Sequence, residues 1–303
     1  MNIFETTFKN ISGICAETET LRAIFLPEHG AKLVSLVYKQ KNYELFAQDE
    51  NPIYLPQSET SNYVEQEVSA ADDLFPTIDP CKTGFANNTE YPCHGETLRV
   101  KHDYQICDNK LIMSFTSKKF GYRFVKTVSC GENGELTTSY EITNQTDADF
   151  PCIFGLHCMF RAEEGGKVVT FENCDEVTVM FDEDKEFGHP WDRVKLSDKM
   201  LASERYSKDG NAYKYYLCDK KIKNQCGYFN PVLDKTVMLS YNSRAMPYLG
   251  VWMNNGKFKE MYNVALEPCS APYDSPVNAR NQGCEFIIKA GETYRVDVSY
   301  DVK

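Results

Sequence analysis

With 303 residues, 42% of them hydrophobic and 25% charged, the chain can bury a large core and fits one large domain or two ordinary ones. Its 33 basic and 44 acidic residues leave a net charge of −11, and no Lys/Arg block interleaved with aromatics occurs, which argues against nucleic acid or an anionic membrane as partner. Residues 1–10 carry Glu5 and Lys9 without an apolar core, and no stretch reaches the roughly 18 apolar residues of a spanning helix, so the expectation is a cytoplasmic protein with a small or neutral partner.

Short strands are predicted from the start: 21–26, the turn Pro27-Glu28-His29-Gly30, then 31–38. Residues 49–97 differ, because Pro52, Pro56, Pro76, Pro80, Gly84 and Pro92 leave no room for a long regular element. A long connection of this kind inside a compact domain is usually a functional loop, so the segment is expected to contribute Asp72, Asp73, Thr77, Asp79 or His94 to a site. Strands then resume at 111–117 and 122–130. At 135–143, Leu136, Thr138, Tyr140 and Ile142 alternate with polar residues, the period of a half-buried antiparallel strand. Further strands are predicted at 167–171, 176–181, 213–218, 236–241, 248–253, 284–288 and 294–302, divided by turns such as Gly131-Glu132-Asn133-Gly134, Asp209-Gly210-Asn211 and Asn254-Asn255-Gly256. A short helix fits 196–206. Without a repeat of 40 to 50 residues to support propeller blades, the expected class is all-β: one large antiparallel β-sandwich over residues 1–303.

The twelve cysteines include no Cys-x-x-Cys pair. Several, among them Cys107, Cys130, Cys218 and Cys284, sit in strand-like stretches, and they read as free and mostly buried thiols. The adjacent pairs Cys93-His94 and His157-Cys158 have the wrong spacing to chelate one ion, so no structural metal and no cofactor is expected.

Two strand ends carry the chemistry. In 150–160, Phe-Pro-Cys-Ile-Phe-Gly-Leu-His-Cys-Met-Phe, His157 is the one group in an apolar run that ordinarily exchanges protons near neutrality, a candidate acid or base. In 261–274, Glu267 ends an apolar strand just before Pro268, where partial desolvation and a stiff turn suit a general base. A satisfied core histidine and a strand-end glutamate in a salt bridge are the structural alternatives. Adding Asp73 and His94 from the polar loop and Trp252 as an aromatic face gives a constellation suited to a sugar, which is held by hydrogen bonds in its plane and aromatic contact against its face.

These residues carry a resemblance to the aldose 1-epimerase, or galactose mutarotase, family. His94-Gly95 resembles the end of its histidine-glycine motif, Phe154-Gly155-Leu156-His157 the strand of its second histidine, and Ala265-Leu266-Glu267-Pro268 its glutamate motif, in the same order. Asp72-Asp73-Leu74-Phe75-Pro76-Thr77 is similar to an acidic-Pro-Thr segment of less characterised bacterial members. The chain departs from the pattern at Tyr91-Pro92-Cys93, where a fuller asparagine-histidine motif is usual, and at Met159, where a tyrosine is usual. It also lacks the arginine expected between Pro52 and Tyr91.

The resemblance implies a galactose mutarotase-like sandwich acting without metal on a small-molecule sugar, as a monomer or homodimer. Glu267 would take the C1 hydroxyl proton and His157 would protonate the ring oxygen, while His94 and Asp73 bind substrate. Rival readings are a hexose-6-phosphate epimerase using Arg99, Arg123 or Arg161, a non-catalytic sugar-binding domain of the same fold, and a glycosidase with Asp73 and Glu267 as its carboxylate pair.

Overall fold

The computed structural model describes residues 1–170, 174–203, 210–217 and 224–303. Among these, the strands form a twelve-stranded and a nine-stranded sheet, with Phe150–Pro151 paired to Ile287–Ile288 beside them, and the ladders are antiparallel. This is the expected large antiparallel β-sandwich. The inward sides of the two sheets share one core, with Phe25, Leu156 and Leu266 from the larger sheet and Phe124, Ile142 and Val298 from the smaller. Each such side chain contributes on the order of 1.5–3 kcal/mol by leaving water. Phe160 stacks on Tyr228 across the gap at 6.1 Å between ring centres. No helix among the described residues is long and apolar enough to cross a membrane.

Period-2 alternation works where one face is wet. In Leu136–Asn144, Leu136, Thr138, Tyr140 and Ile142 are buried, and Thr143 registers opposite Thr293 of Thr293–Val302. The hairpin Asn2–Phe8 with Ile11–Glu17 went unread, because this edge of the large sheet has weak apolar contrast. Of the predicted strand 284–288 only Ile287–Ile288 forms. Just before it, the six-residue helix Pro276–Asn281 is capped by Ser275, whose hydroxyl accepts from the Asn278 N–H. Of the helix expected at 196–206, Asp198–Leu201 forms, while residues 204–206 lie outside the described residues, as do Phe171, Asp209 and Cys218. The described cysteines are free thiols, but two expectations fail: Cys107 and Cys130 are exposed. Both end strands of the Cys107/Lys110 and Cys130/Leu136 hairpins, where the chain turns into solvent.

Five neighbouring strands of the large sheet line the site, in the spatial order Gly155–Arg161, Tyr262–Cys269, Tyr248–Asn255, Asn211–Tyr216, Glu176–Asp182. Their inner face packs on the small sheet. Their outer face is covered by the 49–97 segment at one side and by the turn 256–261 at the other, leaving a cavity between. Asn254 holds that turn, donating to the Phe258 carbonyl at 3.0 Å and accepting from the Phe258 N–H at 3.1 Å.

Candidate active site

The cavity holds about 430 Å3, within the range of small-molecule sites. Its floor consists of side chains projecting from adjacent ladders. His157 and Glu267 lie on neighbouring strands between the registered pairs Gly155/Cys269 and Cys158/Leu266, Glu267 is opposite Gly250, and Lys214 is opposite Trp252. Gly250 matters sterically: a Cβ there would lie 3.1 Å from the Tyr216 ring and 3.4 Å from the Glu267 Cβ.

His157 and Glu267 are both buried, with Nε2 of the histidine 3.4 Å from Oε1 of the glutamate. The other glutamate oxygen, Oε2, accepts from Lys214 Nζ at 2.7 Å. The same Nζ lies 2.7 Å from Oδ1 of Asp274, which also accepts from the Tyr216 hydroxyl at 2.7 Å. Burial pushes the Glu267 carboxyl up, Lys214 pulls it down and Asp274 pushes it up again, leaving it at about 7. Burial, with His94 and Lys214 nearby, holds His157 well below the usual imidazole value, so its resting form is neutral. Burial also works against the charge on Lys214, but Asp274 and Glu267 outweigh it and keep the ammonium firmly charged.

His94 comes from the long segment, as expected. Its imidazole stacks on Tyr63 with ring centres 3.6 Å apart and meets the His157 ring edge-on at 5.9 Å. Burial and the Lys214 charge push it down to about 3, so it is neutral. Tyr63 is itself fixed from behind: its hydroxyl donates to Asp72 Oδ2 at 3.0 Å, and Lys32 donates to Asp72 Oδ1 at 2.5 Å. Backbone places His94 as well, since its N–H donates to the Ile78 carbonyl at 2.5 Å, and the Ile78 and Asp79 N–H groups donate to the Asp274 carbonyl. His94 and Gly95 both have left-handed backbone, and a Cβ on Gly95, whose φ is +83°, would fall 2.3 Å from the Phe75 carbonyl oxygen. Gly95→Ala is therefore expected to cost at least about 1–3 kcal/mol in urea denaturation and to displace His94. An unchanged midpoint would show that the turn tolerates the overlap.

Trp252 also lines the cavity, 5.4 Å from the Phe258 ring and 5.7 Å from that of Phe181. Asp73 does not, which corrects the expectation that it contacts substrate. Alternation along Ala71–Leu74 sends Asp72 and Asp73 to opposite faces of the sheet. Asp73 therefore points into the gap between the sheets, where Lys126 Nζ donates to its Oδ2 and the Tyr140 hydroxyl to its Oδ1, each at 2.7 Å. The glycosidase pairing of Asp73 with Glu267 loses its basis for the same reason. Arg99 is spent on backbone carbonyls, among them Gly95 and Cys93, and neither it nor Arg123 or Arg161 lines the cavity. Among the described residues no three His, Cys, Asp or Glu side chains converge as metal donors.

Sequence reasoning missed Lys214, Asp274 and Tyr63. The signal for Lys214 was present in Tyr213-Lys214-Tyr215-Tyr216, one cation in an aromatic strand, the same kind of signal that marked His157. Asp274 lies in the stretch that held Glu267, but seven residues on and past the strand end, where only the loop path brings it back.

Comparison with known proteins agrees with this architecture. The chain is similar in fold to the Slr1438 protein of Synechocystis, at 15% identity and a TM-score of 0.72 over 99% of each chain. It is similar to a galactose mutarotase-like protein of Lactobacillus casei, at 18% identity and a TM-score of 0.67 over 96% of this chain and 100% of that one. A galactose mutarotase related enzyme of Lactobacillus acidophilus matches at 15% identity and a TM-score of 0.63, over 95% and 97%. No curated protein matches the chain by sequence. The profile of the domain of unknown function DUF4432 matches residues 114–302, which include His157, Lys214, Glu267 and Asp274, and the chain belongs to the DUF4432 family.

Proposed function

We propose that the protein is an isomerase that interconverts the α and β anomers of an aldose by opening and reclosing the ring. The observation that carries this reading is the Glu267–His157 pair, two buried proton-exchanging groups 3.4 Å apart on the floor of a cavity walled by aromatics. Ring opening removes a proton from the C1 hydroxyl and delivers one to the ring oxygen as the C1–O bond breaks. The C1–C2 bond then rotates, and closure on the other carbonyl face reverses both transfers. Such a reaction needs one base and one acid and no net proton, which is what a pair sharing a single proton supplies. Each group contributes on the order of 100- to 10,000-fold.

In this reading Glu267 in its ionised form takes the hydroxyl proton while protonated His157 serves the ring oxygen. Neutral His94 hydrogen-bonds the substrate, and Trp252 packs on the sugar face. A phosphorylated sugar has less support, because the wall lysines are already paired: Lys214 with Glu267 and Asp274, Lys257 with Glu183, and Lys259 with Asp49 at 2.8 Å. The likeness to galactose mutarotase-like proteins supports the sugar class.

Polarimetry of freshly dissolved α-glucose, α-galactose and related aldoses tests it. The protein is expected to speed the approach to equilibrium rotation of at least one of them above the spontaneous rate. No acceleration with any free aldose would overturn the reading.

A further inference from the structure

We propose that Lys214 is a positioning residue for the proton relay: held between two buried carboxylates, it keeps Glu267 anionic enough for the shared proton to move onto His157. This rests on the isomerase reading for its purpose, though not for its electrostatics.

The geometry is that of a clamp. Lys214 Nζ lies 2.7 Å from Glu267 Oε2 and 2.7 Å from Asp274 Oδ1, and the Tyr216 hydroxyl also donates to Asp274. All these groups are buried. The clamp occupies one glutamate oxygen only, leaving Oε1 with no hydrogen-bond partner and facing His157 Nε2. The lysine therefore fixes which oxygen exchanges protons. The charges around Glu267 come from every side: Lys214 from Asn211–Tyr216, Asp274 beyond the end of its own strand, His157 from Gly155–Arg161, and Asp79 and His94 from the covering segment. Both histidines are neutral at rest, and the lysines of the turn, Lys257 and Lys259, are neutralised by Glu183 and Asp49. Lys214 is thus the cation in direct contact with Glu267. Without it, three carboxylates in and beside a desolvated floor would favour the protonated acid, and the proton would stay on Glu267 instead of reaching the imidazole.

The test is the titration of the Glu267 carboxyl, followed by 13C NMR of glutamate-labelled protein and assigned by loss of the signal in Glu267→Gln. In Lys214→Met the midpoint is expected to rise by at least one pH unit. Lys214→Arg, which keeps the charge, should return most of that rise. This readout does not require turnover, so it stands apart from the isomerase reading. Where an aldose is turned over, Lys214→Met should lower kcat at least tenfold with a smaller effect on KM. Should Lys214→Met fail to fold, Lys214→Gln, which keeps a donor but no charge, carries the same expectation. A folded variant whose Glu267 midpoint stays within a few tenths of a unit of the wild-type value would overturn the proposal, as would a kcat equal to wild type.

Discussion

The value of kcat/KM for anomer interconversion is expected to be flat on the acid side of neutrality and to fall about tenfold per unit above a midpoint near 7. The reason is proton counting. Burial raises the Glu267 carboxyl to about 7 and holds His157 neutral, so below the midpoint the pair carries one proton and above it none. A relay that passes one proton to the ring oxygen while taking one from the hydroxyl works only with that proton present, whichever partner holds it at rest. Activity is therefore lost as pH rises through the midpoint, which belongs to the pair and not to either residue. A rate that rose through pH 7 would instead mean that ionised Glu267 acts alone and His157 supplies no proton. Glu267→Gln should remove the limb along with the activity, a loss of about 100- to 10,000-fold. Polarimetric rates from pH 5 to 9, corrected for spontaneous mutarotation, decide between these outcomes.

A Lys126→Met variant is expected to lose about 3–5 kcal/mol of stability while leaving the cavity's groups in place. Lys126 and Asp73 face each other between the sheets, both buried, at 2.7 Å, with the Tyr140 hydroxyl completing the carboxylate's hydrogen bonding. Lys126 also donates to the Ala31 carbonyl at 3.0 Å. Removing the ammonium leaves a desolvated carboxylate with one neutral donor. Replacing both partners, as in Lys126→Met with Asp73→Leu, should recover most of the loss, because an apolar pair of similar volume suits the surrounding core. Urea denaturation of the single and double variants measures this. A single variant within 1 kcal/mol of wild type would mean that the pair does not hold the two sheets together.

The paired aspartates also mark how far the sequence could be read. Where one face of a strand is wet, as in Leu136–Asn144, alternation identified the buried side. His157 and Glu267 were legible for a related reason: an ionisable group inside an apolar run has few places to go, and here both end on one cavity floor. Asp72 and Asp73 share one short strand, buried throughout, so no polar/apolar contrast said which face each takes, and Asp73, expected in the site, points between the sheets instead. Lys214 and Asp274 meet through ladder order, in which Asn211–Tyr216 lies two strands from Tyr262–Cys269. Register of that kind depends on long-range pairing and leaves no local trace. Tyr63 reaches His94 only through the path of a loop, which the sequence marked as functional without giving its course.

The measurement that bears most directly on the central claim is two-dimensional exchange NMR of an aldose at anomeric equilibrium, near pH 7, with wild-type protein and the His157→Ala and Glu267→Gln variants. Exchange peaks linking the α and β anomeric protons should grow in proportion to wild-type protein and fall to the spontaneous level with either folded variant. Undiminished exchange with either one would contradict the assignment of the cavity floor as the proton relay.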